Sequence, residues 1–442
     1  MQTVYMASLG CAKNLVDSEV MLGSLLKEGY SSCSQPEEAG LIIVNTCSFI
    51  DRAKEESIET ILEMAEYKNR GTCKFLVVAG CLPQRYLNEL KEELPEVDLF
   101  VGTGEFSSIV KLLKERDRDR KLSRPEFSYR EFTPRVNSQP THRAYLKIAE
   151  GCSTACAYCV VPRLRGPAKS RPIDDVFIEA QRLVNRGAQE LLVVAQNLTD
   201  YGLDVDQTLW LPKLLKKLDS LNCKWIRLHY LYPDNITDEL IEVVANSEKI
   251  CHYFDIPFQH INDEVLSRMN RRGTSRKQIE NLISKLRKNI PDVSIRSTFI
   301  AGFPGETEGQ FGELKDFLGT ARLDHVGVFP YSKENGTRAE RLDGHLPDEI
   351  RIARAEELMA FQKNISHDVL QKYVGKKIIA VVEGETSIDG IPFLIARSQY
   401  QAPEVDGTIM INDGTADLGE FVIVDIEQAL DYDLVGGIVP FN

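Results

Sequence analysis

This sequence has no long hydrophobic run, no excess of positive charge and no phosphate-binding loop. Its longest apolar stretches, such as LIIVNTCSFI, have the length of a β-strand and are too short to span a bilayer. It has no G-x-x-x-x-G-K-[ST] motif. The net charge of −13 argues against a general nucleic-acid-binding protein, although it is compatible with a local basic patch.

The N-terminus also lacks the features of a signal peptide. MQTVYMASLG enters a strand-like pattern directly, with no basic region ahead of an apolar one. We therefore expect a cytoplasmic protein without membrane attachment. In that reducing compartment, ten cysteines suit metal binding, catalysis or the core better than disulfides. The 442 residues are enough for two to four domains.

Residues 1–120 alternate between short β-rich runs and helical patterns. The predicted strands are TVYMASL, AGLIIVN, KFLVVAG and VDLFVG. This alternation predicts an N-terminal α/β domain with a parallel sheet. Cys11, Cys47 and Cys81 follow the first three strands. The loops at the carboxyl ends of parallel strands converge on one edge of the sheet, so these three cysteines are expected to meet there.

Three further segments follow. Residues 121–141 are charged and aperiodic, which indicates a linker. Residues 142–373 contain six strand–helix units, which predict a partial, TIM-like (β/α)6 barrel that is open on one side. Residues 374–442 have short β-rich runs with Gly/Asp turns, typical of a small all-β barrel.

The most specific motif is C-x3-C-x2-C at Cys152, Cys156 and Cys159, just after the first barrel strand. A zinc site would need a fourth ligand nearby, and the nearest histidine, His142, lies ten residues upstream. Three thiolates suit a [4Fe–4S] cluster whose fourth iron is left for a non-protein ligand. With Tyr158 before the last cysteine, the motif resembles that of radical S-adenosylmethionine (SAM) enzymes, in which SAM takes the open iron.

The N-terminal cysteines are interpreted in the same way. Cys11, Cys47 and Cys81, in matching loops beside a radical SAM motif, predict a second three-cysteine [4Fe–4S] cluster. For any one of them alone, a small apolar residue at a strand end would be the simpler explanation. The remaining cysteines match neither pattern and are expected to be ordinary core residues: Cys33, Cys73, Cys223 and Cys251.

Several polar residues are candidates for binding SAM or substrate by their positions. Gln196 ends a barrel strand, where it could bond SAM or simply cap the strand. Arg296 lies on a barrel strand and could pair with a ligand carboxylate or form a salt bridge. Weaker candidates are Gln259 and His260 after a strand, Gly302 and Gly305 in a strand–helix turn, and Arg163, Arg165 and Arg171 flanking the cysteine loop, where they either steer an acidic target or are solvated.

Motifs along nearly the whole chain resemble those of the methylthiotransferase family. They are GCAKNLVDSE at 10–19, NTCSFI at 45–50, AGCLPQRY at 79–86, the C-x3-C-x2-C loop, IPFQH at 256–260, STFIAGFPGETE at 297–308 and FPYSKENGTRA at 329–339. The resemblance implies an N-terminal methylthiotransferase domain, a radical SAM domain and a C-terminal TRAM domain. It also implies two SAM-dependent half-reactions: one SAM methylates sulfur held at the N-terminal cluster, and a second supplies a radical.

The substrate class has two branches within this family. Some members modify adenosine in tRNA, and others modify the β-carbon of an aspartate in the S-twelve protein of the small ribosomal subunit. GCAKNLVDSE and RGPAKSRP resemble the second branch, apart from Ala12, where proline is frequent. Residues 371–442 carry 4 basic and 12 acidic residues, which suits a basic protein partner better than tRNA.

Two other functions stay open from the sequence. The chain could be a tRNA adenosine methylthiotransferase, or a non-enzymatic iron–sulfur protein that transfers electrons or senses redox state. The enzymatic interpretations imply an electron donor, such as flavodoxin or ferredoxin. The sequence does not reveal that donor, the source of the sulfur or the oligomeric state.

Overall fold

A computed structural model describes residues 2–125, 129–130, 132–271 and 273–440. Its first part alternates strands and helices, as the sequence predicts. These elements are β1 Thr3–Ser8, α1 Ala12–Lys27, β2 Ser31–Ser32, β3 Leu41–Thr46, α2 Asp51–Arg70, β4 Phe75–Gly80, α3 Cys81–Glu93, β5 Leu99–Val101 and α4 Ile109–Glu115. The five strands form one parallel sheet in the order β2-β1-β3-β4-β5.

The central strands β3 and β4 are buried on both faces. Ile43 and Val77 face one hydrophobic core with α1 and α4, whereas Ile42 and Val78 face another with α2 and α3. The sequences of both strands are therefore continuous apolar runs, without the alternation of apolar and polar residues found in a strand that is buried on one face. In this arrangement of one sheet between two layers of helices, the carboxyl ends of β1, β3 and β4 lie at one edge of the sheet, together with the cysteines that follow them.

The central part contains six main parallel strands with helices outside them. Its elements up to the third main strand are β6 Arg143–Lys147, β7 Ala149–Glu150, α5 Val161–Arg165, β8 Lys169–Ser170, α6 Ile173–Asn185, β9 Glu190–Val194, α7 Leu203–Asp206, α8 Leu211–Leu218 and β10 Trp225–Leu228. They continue as α9 Asp238–Ala245, β11 Tyr253–Asp255, α10 Asp263–Arg268, α11 Arg276–Asn289, β12 Ser294–Ala301, α12 Glu308–Ala321, β13 His325–Pro330 and α13 Asp348–Leu370.

These strands form an open barrel wall in the order β6-β9-β10-β11-β12-β13. Two three-stranded sheets, β10-β9-β6 and β11-β12-β13, are joined by a bridge between Ile226 and Ile250. Tyr145, Leu192 and Val194 on the first two strands pack against Val16 of α1. The N-terminal domain therefore contacts the barrel wall directly, and helix α1 begins at the cysteine edge of its own sheet.

The C-terminal part is a closed five-stranded barrel. Its strands are β14 Lys377–Ile388, β15 Ile391–Ser398, β16 Ile409–Asp413, β17 Phe421–Ala429 and β18 Leu434–Val439, closed in the order β14-β15-β16-β18-β17. The prediction of an α/β protein with a parallel-sheet domain, a partial barrel and a small all-β barrel is thus confirmed.

The small β-barrel covers the amino-terminal ends of the central strands. Arg143, the first residue of β6, pairs with Glu383 and Glu404. Ser294 and His325, which begin β12 and β13, both bond the Tyr400 carbonyl. The opposite, carboxyl end is left for the loops that carry the cysteines.

Glu190 carries a deeply buried charge at this interface. It begins β9, is fully buried, and pairs with Arg227 of the central domain and Arg397 of the small barrel. Burial opposes its ionisation, yet the charges of Arg397 and Arg227 lower its pKa to about 2. The carboxylate therefore stays ionised across the physiological pH range and fixes the two domains together.

We expect Glu190→Gln to destabilise the chain by about 3–5 kcal/mol, because it leaves two buried guanidinium groups undercompensated. Since the folded-state pKa lies below the ordinary value of 4.5, the stabilisation is present above that pH and lost as the pH falls toward 2. Urea unfolding should therefore show that variant and wild type differ less in their free energy of unfolding at pH 3 than at pH 7. Glu404→Gln is the control, since this interface carboxylate is 61% exposed. Its loss is expected to lower the free energy of unfolding by about 1 kcal/mol or less. Equal effects of the two substitutions would contradict the prediction.

The segment 121–141, expected to be a linker, makes specific contacts where it is described. The side chain of Arg135 is buried, and its guanidinium pairs with Glu19 of α1 and Glu179 of α6. The segment thus ties the first domain to the second through ion pairs, which its aperiodic sequence did not indicate. Residues 126–128 and 131 of this predicted linker lie outside the described residues. None of the helices among the described residues combines the length and the hydrophobicity that a membrane span requires.

Candidate iron–sulfur and SAM site

The three N-terminal cysteines come together at the edge of the sheet. Cys11 precedes α1, Cys47 follows β3, and Cys81 begins α3. A side chain added at Gly10 would stand 3.0 Å from the Cys47 sulfur, so the first loop lies against the second cysteine. Cys81 is close enough to Cys47 and Cys11 for each thiolate to act on its pKa.

The N-terminal cysteines are surrounded by basic groups. Arg165 Nη2 stands 3.7 Å from the Cys81 sulfur. Burial would raise the pKa of Cys11, but the charges of Lys13 and Arg165 and the backbone N–H groups at the start of α1 bring it below the ordinary value. Burial raises the pKa of Cys81 to about 12, with Arg165 opposing it. A thiolate here therefore depends on nearby positive charge, which cluster iron would supply.

The second trio lies in the loop after β6 and β7. Backbone N–H groups point at two of its sulfurs, with Thr154 N 3.5 Å from Cys152 Sγ and Val161 N 3.4 Å from Cys159 Sγ. Burial, with Cys156 nearby, raises the pKa of Cys159 to about 12, and Lys13 of the first domain opposes that rise. Lys13 therefore lies near both cysteine trios.

Both trios fit a [4Fe–4S] cluster better than a single metal ion. Among the described residues, no three His, Cys, Asp or Glu side chains converge closely enough to hold one ion. A cubane instead takes each thiolate on a different iron and does not need the sulfurs to share a point. The all-thiol donor set, the N–H groups aimed at sulfur and the adjacent guanidinium groups suit an anionic cluster.

A buried charge network joins the two sites. Glu150 accepts from Lys147 at 2.9 Å and from Arg165 at 3.1 Å, and the same two cations pair with Asp17 of α1. Burial would raise the pKa of Glu150, but Lys147 and Arg165 lower it to about 2. Sequence reasoning missed this network. The sequence did contain one signal of it, the spacing of Asn14 and Asp17 by one helical turn on α1. In the structure both of these side chains contact Arg165.

Two of the predicted SAM contacts lie beside the second trio. Tyr158 packs with Ala157, Met269 and Phe303, and its hydroxyl interacts with Cys156. Gln196 donates to Glu150, while its Oε1 is buried and has no hydrogen-bond partner among the described residues. That free acceptor suits a donor group on a bound ligand.

The other predicted contacts are occupied by the protein itself. The guanidinium of Arg296 pairs with Asp255 and, across the domain interface, with Asp406. It is therefore an internal salt bridge rather than a free carboxylate receptor. Gln259 has a left-handed backbone, with φ of 72°, and is held through its backbone by Thr298 and Ile300. His260 is fully buried against Glu306.

The flanking arginines divide into three cases. Arg171 is buried and pairs with Asp175 and Glu179, so the expectation that it steers a target or is solvated was wrong. Arg165 is also buried, in the network described above. Arg163 is exposed and donates to the Gly336 carbonyl. It lines a cavity of about 470 Å³ beside the cysteine loop, together with Arg124, Lys169 and the buried Glu150.

The glycines of the strand–helix turn after β12 both have a left-handed backbone conformation. Gly302 has φ of 73°, and a side chain there would stand 2.5 Å from Arg351 Cγ. Gly305 has φ of 79°, and a side chain there would meet the guanidinium group at the end of the Arg268 side chain. Both glycines therefore allow the tight strand–helix turn at this position. Cys73, Cys223 and Cys251 are buried core residues, and Cys33 is half-buried.

Gly10 is the glycine on which the first trio depends. We expect Gly10→Ala to lower the iron content of the reconstituted protein, because the new Cβ would lie 2.7 Å from Cys47 Cβ. Gly29→Ala is the control, since Gly29 shares the left-handed conformation, with φ of 93°, but has no atom within 4 Å of its added Cβ. Iron and sulfide analysis after anaerobic reconstitution distinguishes the two. Equal iron in both variants would show that the close approach is unimportant.

Comparison with known proteins agrees with this three-part arrangement. Residues 3–102 match the profile described as "Uncharacterized protein family UPF0004", residues 146–318 the radical SAM superfamily and residues 374–439 the TRAM domain. Among solved structures, the radical SAM methyltransferase TsrM from Kitasatospora setae, with tryptophan substrate and a SAM analogue bound, superposes with a TM-score of 0.55. It is 15% identical in sequence and covers 88% of this chain and 79% of its own. That likeness concerns the fold alone.

The sequence relatives are closer. Ribosomal protein uS12 methylthiotransferase RimO of Bdellovibrio bacteriovorus is 46% identical over 449 residues, covering 99% of this chain and 98% of the relative. The proteins of the same name from Myxococcus xanthus and Geobacter sulfurreducens are 47% and 45% identical, each over 99% of this chain, with 92% and 99% of the relative covered.

Proposed function

This chain belongs to the ribosomal protein uS12 methylthiotransferase family, and from that membership we propose that it adds a methylthio group to the β-carbon of an aspartate in uS12, the S-twelve protein. The enzyme is a transferase that uses SAM and [4Fe–4S] clusters. The observation that carries the proposal is the position of the two cysteine trios. One belongs to the sheet edge of the first domain and the other to the barrel loop, and a buried network of ion pairs joins the two sites.

We assign the roles of the cysteines from this arrangement. Cys152, Cys156 and Cys159 would hold the cluster at which SAM binds, and Cys11, Cys47 and Cys81 would hold the cluster that carries the sulfur to be transferred. When bound, the first cluster supplies an electron for SAM cleavage and the second supplies sulfur. Because three thiols serve each site, one iron of each cluster stays available to a non-protein ligand.

The surrounding residues orient and shield these groups. Gln196 presents a free buried acceptor, and Tyr158 forms an apolar wall beside Cys156, so both are proposed to contact SAM. Gln259 is proposed to contact SAM only through its backbone, which is hydrogen-bonded to Thr298 and Ile300 of β12. Asp17, Lys147, Glu150 and Arg165 form a buried polar network that fixes the first domain against the barrel near Cys81.

The electrostatics of the last domain supports a protein substrate over tRNA. Phosphate contacts dominate affinity for nucleic acid and need a basic surface. Residues 371–442 instead carry 12 acidic and 4 basic side chains. Three acidic groups of the last domain already pair with the central domain: Glu383, Glu404 and Asp406. The exposed remainder, which includes Glu385 and Glu420, is available to a basic partner.

The deciding experiment offers both substrates to the same enzyme. The anaerobically reconstituted protein is mixed with SAM and a reductant, and uS12 and bulk tRNA are supplied in separate reactions. Mass spectrometry then measures a methylthio gain on each. We expect the gain on a uS12 aspartate and none on tRNA. A gain on tRNA alone would overturn the substrate assignment, and no SAM cleavage at all would favour an electron-transfer or redox-sensing protein.

A further inference from the structure

A buried carboxylate in the loop after β13 joins the first domain to the barrel. Glu334 lies within the motif at 329–339 and is 2% exposed. Its Oε2 pairs with Lys54 Nζ of α2 at 3.1 Å and with Arg85 Nη1 of α3 at 2.8 Å. Its Oε1 accepts from the Ser332 hydroxyl at 2.8 Å. Two helices of the first domain therefore converge on one side chain of the central domain.

Helix α2 extends the contact from Glu334 to Cys47. The Ser57 hydroxyl lies one turn after Lys54 on this helix, is buried, and accepts from the Cys47 N–H at 3.1 Å. Its oxygen also lies 2.9 Å from the Cys47 carbonyl oxygen. The backbone of Cys47 is therefore fixed to α2, and the pair of Lys54 with Glu334 fixes α2 to the barrel.

Helix α3 provides a second contact to the same loop of the first domain. Arg85 lies one turn after Cys81, the first residue of α3. Its Nη1, which pairs with Glu334, also donates to the Ser48 carbonyl at 2.8 Å, and its Nη2 donates to the Asn335 carbonyl at 3.0 Å. One guanidinium group thus connects α3 and the loop after β3 with the loop after β13.

The far end of the loop after β13 contacts the second cysteine trio. The N–H of the fully buried Ala339 donates at 2.8 Å to the carbonyl of Ala157, which lies within the C-x3-C-x2-C loop. The Thr337 hydroxyl donates to the Glu334 carbonyl at 2.8 Å, which holds the two ends of the loop together. Residues 332–339, which we call the bridging loop, therefore have a fixed contact to the loops of both trios.

We propose that Glu334 is a positioning residue that sets the spacing of the two cysteine trios through the bridging loop. The inference rests on the proposed function, in which sulfur held by the first domain is transferred to a carbon at the second trio. Transfer depends on that spacing, because a misplacement of about 1 Å can lower a rate by about a hundredfold. SAM cleavage uses the second trio alone and does not depend on the spacing.

The first domain stays attached to the barrel without Glu334. Val16 of α1 packs against the barrel strands, and Asp17 pairs with Lys147 and Arg165. These contacts belong to α1, whereas α2 and α3 cover the opposite face of the sheet. Loss of the Glu334 carboxylate is therefore expected to loosen the domain on the side of α2 and α3 and to leave it folded and docked.

The test compares Glu334→Gln with wild type as reconstituted holoenzymes supplied with SAM, reductant and uS12. The amide keeps the shape of the side chain and removes its charge. The measured quantity is the methylthio-uS12 formed per 5′-deoxyadenosine formed. We expect the variant to lower this ratio by about tenfold to a hundredfold, with iron content and 5′-deoxyadenosine formation close to wild type. A purely structural role would lower both products together and leave the ratio unchanged.

Hydrogen exchange of the same holoenzymes, without SAM or substrate, gives a readout that is independent of activity. We expect the backbone N–H groups of residues 47–50 to exchange faster in Glu334→Gln, because their loop loses its connection to the barrel. Residues 156–160 are expected to exchange as in wild type, since the Ala339 contact is kept. Equal exchange of residues 47–50 in variant and wild type would contradict the proposal.

Glu105→Gln is the matched control. Glu105 is a similarly buried carboxylate of the first domain, 5% exposed. It pairs with Arg120 and accepts from the N–H groups of Gly102 and Ser123, so none of these contacts reaches the barrel. We expect this variant to keep the wild-type ratio of products. A ratio lowered as far as in Glu334→Gln would show that any buried charge has this effect, and would overturn the proposal.

Lys54→Met decides the matter if Glu334→Gln loses its iron. Arg85 still pairs with Glu334 in this variant, so the buried carboxylate keeps a cation. Helix α2 nevertheless loses its own contact with Glu334, and we expect the ratio of products to fall, though less than in Glu334→Gln. An unchanged ratio at full iron content would overturn the proposal.

A failure of the proposed function gives a different result. If wild type modifies uS12 and both variants keep its ratio of products, Glu334 does not position the trios and the proposed function stands. If wild type cleaves SAM without modifying uS12, the proposed function fails. Hydrogen exchange then decides by itself whether Glu334 holds the loop of Cys47.

Discussion

Loss of SAM cleavage is the expected result of replacing any one of Cys152, Cys156 and Cys159 by alanine. Each of the three thiols would bind a different iron of one cluster, so no remaining cysteine can substitute for a missing one. No unused cysteine belongs to this loop, since Cys223 and Cys251 are buried in other parts of the barrel. We expect 5′-deoxyadenosine formation by the reduced, reconstituted variants to fall to background.

The control for this series is Cys223→Ala, a buried cysteine that packs in the core of the central domain. It should retain SAM cleavage, because only a small apolar side chain is changed. Iron analysis shows whether a lost activity reflects a lost cluster. A Cys156→Ala enzyme that still produced 5′-deoxyadenosine at the wild-type rate would refute the assignment of the radical-forming site.

The second large effect is a separation of the two half-reactions. Replacing Cys11, Cys47 or Cys81 by alanine is expected to spare SAM cleavage and to stop methylthio transfer. These cysteines belong to a separate domain with its own cores, on both faces of the five-stranded sheet. Removing one of them leaves the loop of the second trio intact, because that loop is anchored by barrel contacts such as Ala157 N to Met269 O at 2.8 Å.

Cys47→Ala is the sharpest of the three variants. Cys47 lies in a loop, whereas Cys81 contacts Arg165, and changing it would also disturb the charge network. Cys73→Ala is a suitable control, since Cys73 is a buried core residue of the same domain. Measuring 5′-deoxyadenosine and methylthio-uS12 in the same reaction separates the two steps. Normal methylthio transfer by Cys47→Ala would exclude a sulfur-carrying cluster at these residues.

The three-domain arrangement explains how such a separation can exist within one active site. The C-terminal barrel closes the amino-terminal end of the central strands through pairs such as Arg397 with Glu190. The N-terminal domain meets the barrel wall through α1 and the network around Glu150. The space between the trios is thus formed by two domains, and each contributes one set of three thiols.

The sequence by itself determined the elements and the chemistry of the ligands. Apolar runs and helical periodicity predicted the parallel sheet and the barrel strands, because burial of a strand on both faces dictates its composition. The C-x3-C-x2-C spacing indicated one cluster, since its ligands lie in one loop. Cys11, Cys47 and Cys81 could be grouped despite their wide spacing, because parallel strands bring equivalent loops to one edge.

Only the tertiary structure decided which charged residues are free. Arg296 and Arg171 were both candidates for ligand binding, but each is paired with carboxylates, and Asp406 lies 110 residues from Arg296. Lys13 was not a candidate, yet its ammonium group is buried against the ring of Tyr230 in the central domain. Charges pair across any distance along the chain, so their partners depend on how domains pack and leave no local pattern in the sequence.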